Sequence, residues 1–185
     1  MSKVQIAGPD AVISFWFEEL TPEDWYKKND ALDRDIAKRF GATHLALAGS
    51  IPQEWWSSAE AVLALIIVFD QFPRNIYRGT PLAFATDCLA LKEARSAIDA
   101  ELDQLVDAKR RIFFYMPFEH SEVLADQDRA VELISRLDDE EFTRYAHAHR
   151  DVIIRFGRFP HRNAILGREN TAEETAYLAQ PGSGF

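Results

Sequence analysis

Hydrophobic residues recur along this chain at intervals of three and four, the spacing of one face of an α-helix. One apolar stripe runs through residues 142–156 and includes Tyr145 and His149, and another runs through residues 32–47. No sustained stretch alternates apolar and polar residues with the composition of a strand. The pattern therefore predicts an all-α protein.

Boundary signals divide the chain into helices. Ser57 and Thr171 each begin an S/T-x-x-E capping box, and Thr21 and Thr80 each precede a proline suited to the first helical position. Together with the stripes, these signals predict eight helices, at residues 9–20, 30–48, 57–71, 81–99, 103–115, 121–137, 140–156 and 171–179.

The predicted helix at residues 57–71 is apolar on all sides, because residues 61–69 form an uninterrupted run of nine apolar residues. Such a helix should be surrounded by others, in a layered array whose short connections make neighbours antiparallel. A bilayer-spanning helix needs about 20 apolar residues, so we expect no membrane segment. No linker is apparent, which predicts one helical domain over residues 1–185 with a loose tail at residues 180–185.

Charge and cysteine content exclude some functions. A net charge of −9 argues against nucleic-acid binding, although residues 144–168 carry six Arg and one Asp. The single Cys88 cannot form an internal disulfide and lies in an apolar stretch, where we expect it to fill the core. The N-terminal residues lack the features of a signal peptide, so we expect a cytoplasmic protein.

Cofactor motifs are missing from the sequence. There is no phosphate-binding glycine pattern and no cysteine pair that could bind zinc. His147 and His149 diverge on their helix and could not hold one metal ion together. We therefore expect neither cofactor nor metal, and we expect His44 and His149, which lie on apolar stripes, to be core residues.

Polar residues gather instead in three proline-containing turns. Converging guanidinium groups can bind a carboxylate or phosphate, and a histidine beside a carboxylate can transfer protons. In the alternative, structural interpretation, phenylalanine seals a helix end, proline stops the helix, and arginine pairs with Asp70, Glu119 or Glu122. The candidate ligand-binding residues are Arg74, Asn75, Arg78, Glu119, His120, Arg158, His161, Arg162 and Asn163.

The order of the helices favours a shared site. If consecutive helices are antiparallel, the third, fifth and seventh all end at the same edge of the array. The turns at residues 72–75, 116–120 and 159–163 should then lie on one side, which brings Arg74, His120 and Arg162 together.

Three strings carry a resemblance to a known family: Phe72-Pro-Arg-Asn, Pro117-Phe-Glu-His-Ser-Glu and Phe156-Gly-Arg-Phe-Pro-His-Arg-Asn. The first and third also resemble each other, through an old duplication or by chance. Over most of its length the chain resembles the bacterial domain-of-unknown-function family numbered 924. The resemblance implies a tetratricopeptide-like α/α superhelix and brings no activity, substrate or catalytic residue.

Three kinds of function are consistent with these features. The first is a small-molecule anion site in the turns, which would bind or transform its ligand. The second is a helical module that binds a peptide or protein in a groove, and the third is a structural oligomer without a ligand. A cavity of about 300–1,000 Å³ beside the turn arginines would favour the first.

Overall fold

The computed structural model describes residues 6–184, and these contain α-helices, short 3-10 turns and one π-helical turn but no strand. The all-α prediction is confirmed. The α-helices in this part of the chain are α1 (Pro9–Ser14), α2 (Pro22–Tyr26), α3 (Asp30–Gly49), α4 (Ala59–Ile76), α5 (Asp87–Asp99), α6 (Ala108–Glu119), α7 (Leu124–Ile134), α8 (Glu140–Phe156) and α9 (Ala172–Leu178). A π-helical turn, Phe15–Glu19, continues α1.

The chain forms two compact units. The first runs to Arg78 and includes Leu82–Pro117, and the second consists of Gly79–Pro81 and the chain from Phe118 onward. The predicted single domain and the tetratricopeptide-like superhelix remain predictions, because both concern the whole chain.

In the first unit, α4 is the central helix. It packs against α1, α3 and α5, and every residue from Ala61 to Phe72 is buried. Phe15, Phe40 and Phe72 meet at its end, with ring centroids 4.7 to 6.1 Å apart. The prediction that this apolar helix is surrounded by others is confirmed.

The prediction that proline stops the helices at Pro73 and Pro117 is wrong. Pro73 lies inside α4, which continues to Ile76, and Pro117 lies inside α6, which continues to Glu119. Proline removes only one helical N–H, so a helix can pass through it where another donor serves the carbonyl four residues earlier. Of the three turn prolines, only Pro160 lies outside an α-helix. It lies in a 3-10 turn after α8, whose C-cap residue, Gly157, has a left-handed φ of 67°.

A threonine supplies the donor that Pro73 lacks. The Thr86 hydroxyl donates to the carbonyl oxygen of Phe69, four residues before Pro73, at 2.7 Å. Because that hydroxyl has donated its proton, its oxygen accepts from His44 Nε2 at 3.1 Å, and His44 Nδ1 accepts from the Tyr77 hydroxyl at 3.3 Å. Burial lowers the pKa of His44, which keeps the ring neutral in this chain of bonds.

In the second unit, α7 packs against α8, and the apolar residues Val152, Ile153 and Phe159 form a small core with Phe156 and Tyr177. The carbonyl groups at the end of α6 are served from α7. Gln127, which is fully buried, donates through Nε2 to the carbonyl oxygens of Glu119 and Ser121, both at 2.6 Å.

Other boundaries agree with the prediction or differ for local reasons. Helix α8 has the predicted limits, and the Thr171 capping box is present. Ser58 rather than Ser57 caps α4, because its side chain accepts from the Ala61 amide. The predicted helix at 81–99 is split into a 3-10 turn, Pro81–Phe84, and α5.

Two residues predicted to be buried are exposed. Cys88 is exposed on α5 and does not fill the core. Tyr145 is exposed on α8, although its spacing placed it on the apolar stripe. Among the helices of the described chain, none is long and apolar enough to cross a membrane.

The bond from Thr86 to Phe69 predicts a coupling with Pro73. Thr86→Val leaves a buried carbonyl without its donor, and we expect a loss of about 1–3 kcal/mol in the free energy of unfolding. In a Pro73→Ala background the loss should be smaller, because the substituted residue supplies the helical N–H to the same carbonyl. Urea unfolding of the parent, both single variants and the double variant measures this coupling. Strictly additive losses would contradict it.

Candidate functional site

In the first turn, carboxylates of the same unit hold the guanidinium groups. Arg74 donates to both oxygens of Asp87, at 2.9 and 3.1 Å, and also to the carbonyl oxygen of Asp70. Arg78 binds Asp33 through two bonds of 2.6 and 2.8 Å. Asn75 donates to the same carboxylate at 2.8 Å. These three candidate residues therefore connect elements of the first unit.

The turn after α8 is braced in the same way. Arg168 binds Glu122 through two bonds of 2.7 and 2.9 Å and donates to the carbonyl oxygen of Phe159 at 3.1 Å. Glu122 in turn accepts from the Phe159 amide at 2.8 Å. Burial raises the pKa of Glu122, but the bonds from Arg168 and Phe159 outweigh it and hold that pKa below its ordinary value. The carboxylate thus stays charged and holds the turn.

Asn163 and Arg158 also have structural partners. Asn163 is fully buried, accepts from Arg168 Nε at 2.9 Å and donates to Asn170 at 2.7 Å. Arg158 binds both oxygens of Glu174, at 2.6 and 2.8 Å. Arg158 and Arg168 of the basic segment at residues 144–168 are therefore each paired with a carboxylate.

A buried carboxylate–histidine pair lies close to these bonds. Glu119, at the end of α6, is 6% exposed, and His149, on α8, is 8% exposed. His149 Nδ1 is 3.2 Å from Glu119 Oε1 and 2.9 Å from the carbonyl oxygen of Tyr145. A carbonyl oxygen can only accept, so Nδ1 carries the proton and Nε2 is the basic nitrogen of the neutral ring.

His161 lies in the same electrostatic environment. Burial, together with the proximity of Arg162, His149 and His120, lowers its pKa to about 4, against the opposing effect of Glu122. The ring is therefore neutral near pH 7. Its neighbour Arg162 is buried and lies with its guanidinium carbon 4.5 Å from the centre of the Phe159 ring.

Phe159 connects these groups. Its fully buried ring is 5.7 Å from the His149 ring and 5.5 Å from the His161 ring, centroid to centroid. Glu119 contacts His149, and His120 lies close enough to His161 to influence its pKa. We refer to these residues as the polar centre, which consists of Glu119, His120, His149, His161 and Arg162. It combines a tautomer-locked imidazole, a neutral imidazole and a buried positive charge, the components of an acid–base site for an anion.

The structure thus sorts the nine candidates. Four of them lie in the polar centre: Glu119, His120, His161 and Arg162. Two, Arg158 and Asn163, stabilise the second unit through their partners. The other three stabilise the first unit: Arg74, Asn75 and Arg78. The expected meeting of Arg74 with His120 and Arg162 joins the two units and remains a prediction.

His149 was not among the candidate residues, because it lies on an apolar stripe and was expected to be a core residue. It is buried as expected, but it is paired with a carboxylate. The sequence feature that could have indicated this pair is a histidine on an apolar stripe, together with Glu119 in a separate polar string. Within residues 6–184 no cluster of His, Cys, Asp or Glu has the arrangement of a metal site.

The depressed pKa of His161 predicts an acid-sensitive fold. The unfolded ring takes up a proton near pH 6.5 and the folded ring only near 4, so the stabilisation is complete above pH 6.5 and is lost as the pH falls toward 4. The contribution is at most about 1.4 kcal/mol per pH unit. Urea unfolding between pH 7 and 5 should show a shallower pH dependence for His161→Asn than for the parent. His147→Asn, exposed on α8, is the control, and an unchanged slope in His161→Asn would contradict the assignment.

Comparison with known proteins supports the family resemblance. A family described as bacterial protein of unknown function (DUF924) matches residues 12–182. The solved structure titled "Structure of Protein of Unknown Function ATU0120 from Agrobacterium tumefaciens" is 43% identical, with 92% of this chain and 96% of that chain covered and a TM-score of 0.88. No curated protein matches this chain. The chain therefore belongs to the bacterial DUF924 family.

Proposed function

We propose that the polar centre binds a small anionic molecule and transfers a proton to or from it. The observation that carries this proposal is the contact of His149 Nδ1 with both Glu119 and the Tyr145 carbonyl oxygen. A carboxylate that fixes the tautomer of a histidine is the arrangement by which proteins orient a general base.

Four of the five residues of the polar centre have a role in this proposal. His149 accepts the proton at Nε2, and Glu119 stabilises the resulting positive ring. Arg162 provides the counter-charge for a carboxylate or phosphate group of the substrate, which suits its fixed position over Phe159. His161, neutral near pH 7, donates or accepts a hydrogen bond without adding charge.

The alternative of a peptide-binding helical module has no support on α8. Its groove needs adjacent exposed apolar side chains. On α8 the exposed ones, Tyr145 and Ile154, are nine residues apart and point to opposite sides of the helix.

The lack of a cysteine pair supports a cytoplasmic location for the proposed activity.

The proposal predicts that two arginines, each after a Phe-Pro pair, respond differently to anions. Phosphate, sulfate or a dicarboxylate should raise the melting temperature of the parent, because a ligand that binds the native state stabilises it. Arg162→Lys should reduce this rise, since lysine lacks the planar fork. Arg74→Lys should lower the melting temperature without ligand but keep the rise, because Arg74 is structural. The same loss of response in both variants, or in neither, would contradict the assignment.

A second arm of this experiment tests proton transfer. Phosphorylated and carboxylated metabolites that raise the melting temperature are incubated with the protein and followed by proton NMR. We expect His149→Asn to bind these compounds but to turn them over about 10²–10⁴-fold more slowly. His147→Asn is the matched control on the same helix and should keep the parent rate. Full turnover by His149→Asn would rule out His149 as the base.

A further inference from the structure

A second feature of the second unit is an open cleft between the end of α8 and α9. Its volume is about 310 Å³, at the lower end of the range for small-ligand sites. None of its lining residues belongs to the polar centre. We refer to it as the arginine cleft, lined by Arg155, Phe156, Arg158, Thr171, Glu173 and Glu174.

The carboxylate of Glu174 is fully engaged. It accepts two bonds from Arg158 and one from the Thr171 amide at 2.7 Å. The bonds from Arg158 and Thr171 lower the pKa of Glu174 to about 2, so it stays charged and keeps its partners. Arg158 donates through Nε and Nη2 only, the latter also to the Glu169 carbonyl oxygen at 2.9 Å. No described residue accepts from its Nη1.

Arg155 has still more donors to offer. It donates through Nε to Glu173 Oε1 at 2.7 Å, and neither of its Nη groups donates to a described residue. Its guanidinium carbon lies 4.7 Å from the centre of the Phe156 ring and 6.0 Å from that of Tyr177. Contact with two aromatic rings restricts the guanidinium plane, so these donors have a defined direction.

The arginine cleft thus contains guanidinium donors that the described residues do not use. Three Nη groups of Arg155 and Arg158 have no acceptor among the described residues, while the Glu174 carboxylate is already engaged. A group with several acceptor oxygens and negative charge matches these donors. We propose that the arginine cleft binds the carboxylate or phosphate group of a ligand through the Nη groups of Arg155 and Arg158, independently of the polar centre.

Two variants that should change the affinity for anions in opposite directions test this proposal. Inorganic phosphate and benzoate are titrated at constant ionic strength, and the Nε–Hε NMR signals of Arg155 and Arg158 report binding in the cleft itself. Arg155→Gln should weaken binding about fivefold, measured at Arg158, because one charged donor is lost. Glu173→Gln should tighten binding severalfold, because it removes the negative charge that competes for Arg155.

An ion pair elsewhere on α8 provides the control. Arg144 and Glu141 are both exposed and lie 3.6 Å apart. Arg144→Gln should leave both affinities unchanged. Binding of phosphate alone, or of benzoate alone, would support the cleft and identify the group it prefers. The proposal is overturned if neither probe shifts the Arg155 and Arg158 signals, if Arg144→Gln weakens binding as much as Arg155→Gln, or if Glu173→Gln fails to tighten it.

Discussion

A helix that contains proline or ends in a turn leaves backbone carbonyl groups without a helical donor, and a buried group of this kind must find another partner. In this protein the partners are polar side chains from other elements. Thr86 serves the carbonyl oxygen of Phe69, Gln127 serves the last carbonyls of α6, and Arg168 serves Phe159. Each proline-containing segment thus depends on a polar side chain that lies outside it.

The polar centre is not accounted for by this constraint. Arg74 and Arg168 hold carboxylates and carbonyl oxygens in place, so an anion could reach them only by breaking bonds that stabilise their own units. Glu119 and His149 are different, because their contact orients an imidazole ring and favours one tautomer rather than holding a chain end. Buried groups arranged in this way are costly to stability, and they are found where a protein performs chemistry.

The sequence predicted α3 and α8 well, because the apolar spacing of these two helices is dictated by the core. It could not predict that α4 passes through Pro73, since the donor that permits this, Thr86, is thirteen residues further along the chain. Nor could the sequence show that Arg162 and Arg74 have different environments, because both follow a Phe-Pro pair. The segment that contains Arg162 has one more residue than the segment that contains Arg74. It also contains Gly157, whose left-handed backbone terminates α8, so the turn that follows is not α-helical.

The tautomer of His149 tests the central claim most directly, because it decides whether Glu119 and the Tyr145 carbonyl oxygen hold the ring as a general base. Nitrogen-15 NMR of the imidazole at neutral pH distinguishes the two nitrogens. The structure predicts a proton on Nδ1 and a basic Nε2, with the preference weakened in Glu119→Gln. A neutral ring protonated at Nε2 in the parent protein would contradict the account.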